Sequence, residues 1–130
     1  MTEAADQTNP VAHPRAGQAM SGAEIIVQVL ADEGVRAIFG YCGGAILPTY
    51  DAVFIYNEAQ RRAGGREIPL IVPANEQGAG FMAAGYARAS GQVGVCLVTS
   101  GPGATNTVTP STMLRKFSQR NFSATACDKT

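Results

Sequence analysis

The chain has 130 residues, enough for one domain, and 45% of them are hydrophobic, enough to build a core. Ten Lys and Arg balance ten Asp and Glu, and only 15% of the residues are charged, so no excess charge recommends nucleic acid or an anionic membrane as a partner. Three cysteines without CxxC or zinc spacing fit a reducing, cytoplasmic setting, and no apolar run approaches the ~18 residues of a membrane span.

Residues 1–20 carry Glu3, Asp6, Pro10 and Pro14 and no apolar core. They read as a disordered tail rather than a secretory signal. The folded part is expected over 21–110, and 111–130 as an atypical tail. Ser21 and Glu24 have capping-box spacing, and Ile25, Ile26, Val29 and Leu30 then recur on one helical face. Gly34 should end that helix. Val35–Phe39 follows as a short strand, and Gly40–Gly44, with three glycines, as a tight turn.

Pro48 suits the first turn of a second helix, in which Tyr50, Val53, Phe54 and Asn57 share a face. Gly64 and Gly65 should close it. Ile68–Val72 is a strand limited by Pro69 and Pro73. Asn75–Gly91 is a helix rich in Gly and Ala, with an acid at its start. Val93–Thr99 is apolar almost throughout, as a strand covered by helices on both faces should be. Ser100–Asn106 is a second glycine turn, and a further helix starts near Thr105–Thr109. Beyond Pro110 only Met113, Leu114 and Phe117 suggest one amphipathic turn, and no strand is expected. The pattern predicts an α/β fold: a partial, open parallel sheet of three strands with flanking helices.

Glu76 is the residue best placed for chemistry, because it stands where a strand hands over to a helix. Free backbone N–H groups favour its charged form, and burial opposes it. From the residues alone it is either an ordinary first-turn acid or a general acid–base group. Gly78, Gly80 and Gly85 suit close helix packing, a ligand, or a dimer interface. The loops Gly40–Gly44 and Ser100–Asn106 match neither the P-loop nor GxGxxG, so a phosphate cradle has weak support, and contact with a planar, mostly neutral ring fits equally well. Asn106 can cap a helix or donate to a ligand. Cys42 lies in a glycine turn, but the one histidine, His13, sits in the tail, so a nucleophile is not expected. Cys96 reads as core and Cys127 as a bystander. Asp51, Glu58 and Glu67 read as surface charges, and Tyr86 and Arg88 as structural. No metal site is predicted.

Four stretches, SGAEIIVQVLADEGV, IFGYCGG, NEQGAGFMAAGYARASG and GVCLVTSGPGATNTVTP, together resemble the start of the acetolactate synthase (acetohydroxyacid synthase) large catalytic subunit, over about Ser21–Pro110. One motif alone would indicate only the wider thiamine-diphosphate superfamily. The resemblance implies that Glu76 is the catalytic, cofactor-activating glutamate, which hydrogen-bonds the aminopyrimidine ring and promotes its imino form. It implies that Tyr41, Gly43 and Gly44 line the reacting centre, and that Gly101, Pro102, Gly103 and Asn106 form the second cofactor-binding loop. The implied reaction decarboxylates pyruvate and joins the hydroxyethyl unit to a second 2-oxoacid, pyruvate or 2-oxobutyrate, in valine, leucine and isoleucine biosynthesis. Another thiamine-diphosphate-dependent 2-oxoacid decarboxylase or carboligase, or an inactive stand-alone fragment, is the alternative.

The same resemblance implies thiamine diphosphate, Mg2+ and FAD as cofactors, the last two held by parts of the longer enzyme. It also implies a homodimer or tetramer with a regulatory subunit. This chain departs from the pattern in three places. Ala74-Asn75 stands where Arg-His is usual, Cys42 where proline is usual, and Ser111–Thr130 where an Asp-rich helix is usual. The chain is therefore expected to be truncated or frameshifted, and inactive by itself.

Overall fold

The computed structural model describes residues 13–115 and 122–126. Residues 13–18, which the sequence places in the tail, turn back on the first helix. His13 lies 3.1 Å from the Asp32 carboxylate, and Arg15 donates to Gln28 at 3.0 Å.

Helix α1 (Gly22–Asp32) opens with the expected capping box. The backbone N–H of Glu24 donates to Ser21 Oγ at 3.3 Å, and that of Ser21 donates to the Glu24 carboxylate at 2.7 Å. These bonds hold the Glu24 carboxyl below its ordinary range, the backbone donor contributing most. The buried stripe of α1 is the expected one only in part, through Leu30. Val27 is buried and Ala23, Leu30 and Ala31 pack beside it, while Ile25 and Val29 are half exposed. Both stripes obey the helical period. The core meets the one with alanines, whose small side chains let a neighbouring helix approach.

Strand β1 (Ile38–Tyr41) follows, and a 3-10 turn, Gly44–Ile46, leads into α2 (Leu47–Ala63). Pro48 lies in the first turn of α2, and Gly64 closes it in the left-handed region. Tyr50, Val53 and Asn57 are buried as expected, but Phe54 is 61% exposed. The buried residues Thr49, Ala52, Val53, Asn57 and Tyr50 span one arc of the helix, and Phe54 falls about 40° beyond its edge at Tyr50.

Strand β2 is only Leu70–Ile71, shorter than Ile68–Val72. Ile68 is buried, but its backbone pairs with a side chain. Asn57 Oδ1 accepts from the Ile68 N–H, and Asn57 Nδ2 donates to the Ile68 carbonyl, both at 2.8 Å. Helix α3 (Glu76–Ser90) leads to β3 (Gly94–Val98), buried along its whole length. Two helices follow, α4 (Pro102–Asn106) and α5 (Val108–Arg115). The α5 backbone carries Met113 and Leu114; Phe117, Cys127 and residues 1–12 lie outside the described residues.

The sheet is parallel throughout, in the order β2-β1-β3-β4. The fold class is the expected one, and the three expected strands are present. The fourth, β4 (Phe122–Ala126), corrects the expectation of no strand after Pro110. Phe-Ser-Ala-Thr-Ala has no Val, Ile or Tyr and lies in an otherwise polar stretch, and pairing with Gly94–Val98 overrides that weak local signal.

Alternation along the strands divides the core into two layers. Ile38, Val95 and Leu97 face Val27, Tyr50 and Val53 of α1 and α2. Phe39, Cys96 and Val98 face Ala79 and Ala83 of α3. Tyr86 completes the second layer, its ring centroid 5.7 Å from that of Phe39 and its hydroxyl donating to Gln92. Burial pushes the Cys96 thiol up to about 11. Gly94 shows how closely α3 lies on β3: a Cβ there would collide with the Ala83 carbonyl. Glu58 and Glu67 are ion-paired with Arg61, and Glu58 with Arg62, on the outer end of α2.

Candidate functional site

In a sheet ordered β2-β1-β3-β4, the connections from β1 and from β3 leave in opposite directions along the sheet. Open α/β sheets bind ligands outside the carboxyl ends of strands at such a switch point. Three stretches gather there: the turn after β1, the start of α3 after β2, and the loop after β3.

Glu76 is the first residue of α3 and is partly buried. The residue before it, Asn75, caps the helix: its Oδ1 accepts from the Gly78 N–H at 2.8 Å. This role was legible, since asparagine before a helical run is among the strongest caps. The sequence reading treated Asn75 only as a departure from a pattern. The cap fixes the backbone on which Glu76 stands.

Asn106 lies thirty positions further on, at the last residue of α4. Its Nδ2 donates to Glu76 Oε2 at 3.1 Å. A carboxylate only accepts, so the amide nitrogen must face it. Of the two uses expected for Asn106, a helix cap and donation to a ligand, neither describes this contact. The side chain is engaged by Glu76 itself.

The loop glycines are explained mostly by contacts inside the molecule. Gly43 has φ −167, a backbone any residue adopts, yet a Cβ there would lie 2.5 Å from Thr99 Cγ2. Gly103 is buried in α4, and a Cβ there would lie 2.7 Å from the same methyl and 3.5 Å from Glu76 Oε1. A Cβ on Gly40 would collide with the Tyr50 hydroxyl and the Leu97 carbonyl. That hydroxyl donates to Leu97 at 3.4 Å, and burial pushes the phenol above its ordinary range. Gly101 differs, since its φ of +66 requires glycine before Pro102 starts α4. Thr99 was not singled out by the sequence reading. A threonine ending a strand carries no signal of its own.

Glu76, Asn106, Gly103 and Gly43 are thus brought together, the last through Thr99. Tyr41 is the last residue of β1 rather than part of a turn, Gly44 opens the 3-10 turn, and Gly101 and Pro102 open α4. Among the described residues they make no hydrogen bond to Glu76. Cys42 is exposed and free. His13, the side chain that would have to activate it, is bonded to Asp32 and to the Arg15 N–H. Among the described residues no group of His, Cys, Asp or Glu is placed to hold a metal ion. No described helix is long and apolar enough to cross a membrane.

Residues 20–111 match the family model of the thiamine pyrophosphate enzyme N-terminal TPP binding domain. The chain belongs to the thiamine pyrophosphate enzymes. Three of its relatives are named as acetolactate synthases. It is 57% identical over 90 residues to the mitochondrial acetolactate synthase catalytic subunit of Aspergillus candidus, covering 69% of this chain and 12% of the relative. It is 53% identical over 90 residues to the acetolactate synthase large subunit of Haemophilus influenzae, covering 69% of this chain and 14% of the relative. It is 50% identical over 90 residues to the isozyme 2 large subunit of Escherichia coli, covering 69% of this chain and 15% of the relative. The thiamine pyrophosphate enzyme chain thus aligns with about an eighth to a seventh of these relatives' length.

Proposed function

We propose that this chain is the pyrimidine-holding part of a thiamine-diphosphate-dependent acetolactate synthase. The observation that carries the reading is the Glu76–Asn106 pair at the switch point of a thiamine pyrophosphate enzyme fold. The residues present suit the cofactor's ring. A carboxylate and an amide meet, and the two loops beside them, Gly40–Gly44 and Ser100–Asn106, carry no Lys or Arg that would mark a diphosphate site.

Thiamine diphosphate, when bound, supplies the carbon nucleophile and the electron sink. Asn106 keeps Glu76 Oε2 engaged and leaves Oε1 to face a ring nitrogen and share its proton there. General acid–base help of this kind contributes ~10²–10⁴-fold. Tyr41, Gly43 and Gly44, at the end of β1 and beyond it, and Gly101, Pro102 and Gly103 after β3, are the residues that would hold the ring beside Glu76. Pyruvate and 2-oxobutyrate are the substrates of this reading. Mg2+, FAD, a partner copy and a regulatory subunit would be held by other parts of the longer enzyme. The cytoplasm is its compartment.

The test is a hybrid in which residues 20–111 replace the matching segment of the Escherichia coli isozyme 2 large subunit. The hybrid should form acetolactate, and Glu76→Gln should lower that rate by ~10²–10⁴-fold. A folded hybrid whose rate ignores the substitution overturns the role of Glu76. A folded hybrid that decarboxylates pyruvate without forming acetolactate favours the sibling decarboxylase instead.

A further inference from the structure

We infer that Thr99 is a positioning residue, whose methyl group spaces the two glycine loops and thereby holds Asn106 against Glu76. Thr99 follows directly on β3, the central strand between β1 and β4. Its Cγ2 touches both loops at once: the space an added Cβ would need at Gly43 lies 2.5 Å from it, and that at Gly103 lies 2.7 Å from it. Both glycines have backbones open to other residues, so space and not conformation explains them. In Gly103 that choice is made despite a helical position, where glycine costs about 1 kcal/mol relative to alanine.

Gly103 also borders Glu76 Oε1 and lies three residues before Asn106 on the same short helix. Any displacement of Gly103 by its neighbour therefore carries Asn106 with it. The Thr99 methyl and Glu76 Oε1 both border the position that a Cβ on Gly103 would take, so the methyl sets how close this turn of α4 comes to the carboxylate. Remove the methyl, and α4 loses the spacer that sets its distance from the Glu76 carboxylate, so the Asn106 contact is no longer held. Add a methyl to Gly103, and the helix must move outward.

This assignment deepens the proposed function and takes from it only the identity of the ligand. The experiment uses the full chain without cofactor, so the two fail separately. The measurement is the NMR signal of the Asn106 side-chain amide, followed while Glu76 is titrated with acid. In the native chain this signal should move as Glu76 takes up its proton. Thr99→Val, which keeps the methyl and loses the hydroxyl, should leave the movement unchanged. Thr99→Ser, which does the reverse, should reduce it at least twofold. Gly103→Ala should reduce it as well, and the pair Thr99→Ser with Gly103→Ala should restore it, because the added carbon occupies the vacated space.

Gly43→Ala supplies the control. It should not be rescued by Thr99→Ser, since Thr99 Cβ and Oγ1 would still lie 2.6 and 2.9 Å from the added carbon. A threonine that merely stabilised the fold would change the melting temperature and leave the amide signal alone. Full movement in Thr99→Ser, or a double variant no better than its singles, overturns the assignment. If Gly103→Ala does not fold, the contrast between Thr99→Val and Thr99→Ser decides it.

Discussion

Two asparagines show what a single amide does in different surroundings. Asn57 is 9% exposed and gives both ends of its amide to one backbone residue, Ile68. Asn57→Ala removes two hydrogen bonds and leaves a buried N–H and a buried carbonyl without partners. The expected loss is about 2–4 kcal/mol in urea unfolding, since each orphaned group costs about 1–3 kcal/mol. Asn57→Asp should be no better, because a carboxylate cannot donate to the Ile68 carbonyl. Asn106 is exposed and holds only the Glu76 carboxylate among the contacts described, so Asn106→Ala should cost the fold under ~1 kcal/mol. Its effect belongs in the hybrid enzyme, where a freed Glu76 carboxylate should lower turnover at least tenfold. Unchanged turnover would mean that the 3.1 Å contact does not orient the acid. The position of Glu76 at the start of α3 was legible, because an acid where an apolar run hands over to a Gly- and Ala-rich helix has few rivals. Its partner was not, because thirty positions separate the two and no local pattern links them.

Glycine has three uses within the single helix α3, and they cannot be told apart from the sequence. Gly78 lies beside the cap, Gly80 faces the ring of Pro110, and Gly85 faces open space. An added Cβ at Gly80 would lie 2.5 and 2.8 Å from two carbons of that ring. Gly80→Ala should therefore lower stability by about 1–2 kcal/mol, the overpacking cost of ~1–3 kcal/mol being partly offset by better helix propensity. Gly85→Ala meets nothing and should raise stability by up to ~1 kcal/mol. Thermal unfolding of the two variants side by side checks both signs. Equal effects would show that α3 responds to propensity alone. Helix ends were well read, since Ser21, Pro48 and Gly64 act locally. Helix faces were less so: Ile25, Val29 and Phe54 have the right spacing but point away from the core. Spacing defines a stripe, and the neighbouring element decides which stripe is used.

At the scale of the whole molecule, burial acts on a titratable group on each side of the sheet. Tyr50 lies in the layer with α1 and α2, and Cys96 in the layer with α3. The parallel arrangement itself was legible, because helices separate strands that are apolar throughout. The strand order was not, and β4 was missed, because pairing partners are set by distant segments. That same order buries β3 on both faces and creates the two titrating positions. Burial raises both groups, the thiol to about 11 and the phenol above its ordinary range. A raised value means that the folded chain holds its proton at a pH where the unfolded chain has begun to release it. The unfolded state therefore binds fewer protons once pH passes the ordinary thiol range, and stability must fall with rising pH. Below about pH 8 both states keep both protons, and these groups contribute no slope. Between about pH 9 and 11 the thiol contributes a decline, to which the phenol adds above about pH 10. Urea midpoints measured from pH 7 to 10.5 should be flat at first and then drop. Cys96→Ala should shift the onset of that drop upward, because only the phenol remains to drive it. An onset unchanged by Cys96→Ala would mean that the thiol is not held protonated by the fold.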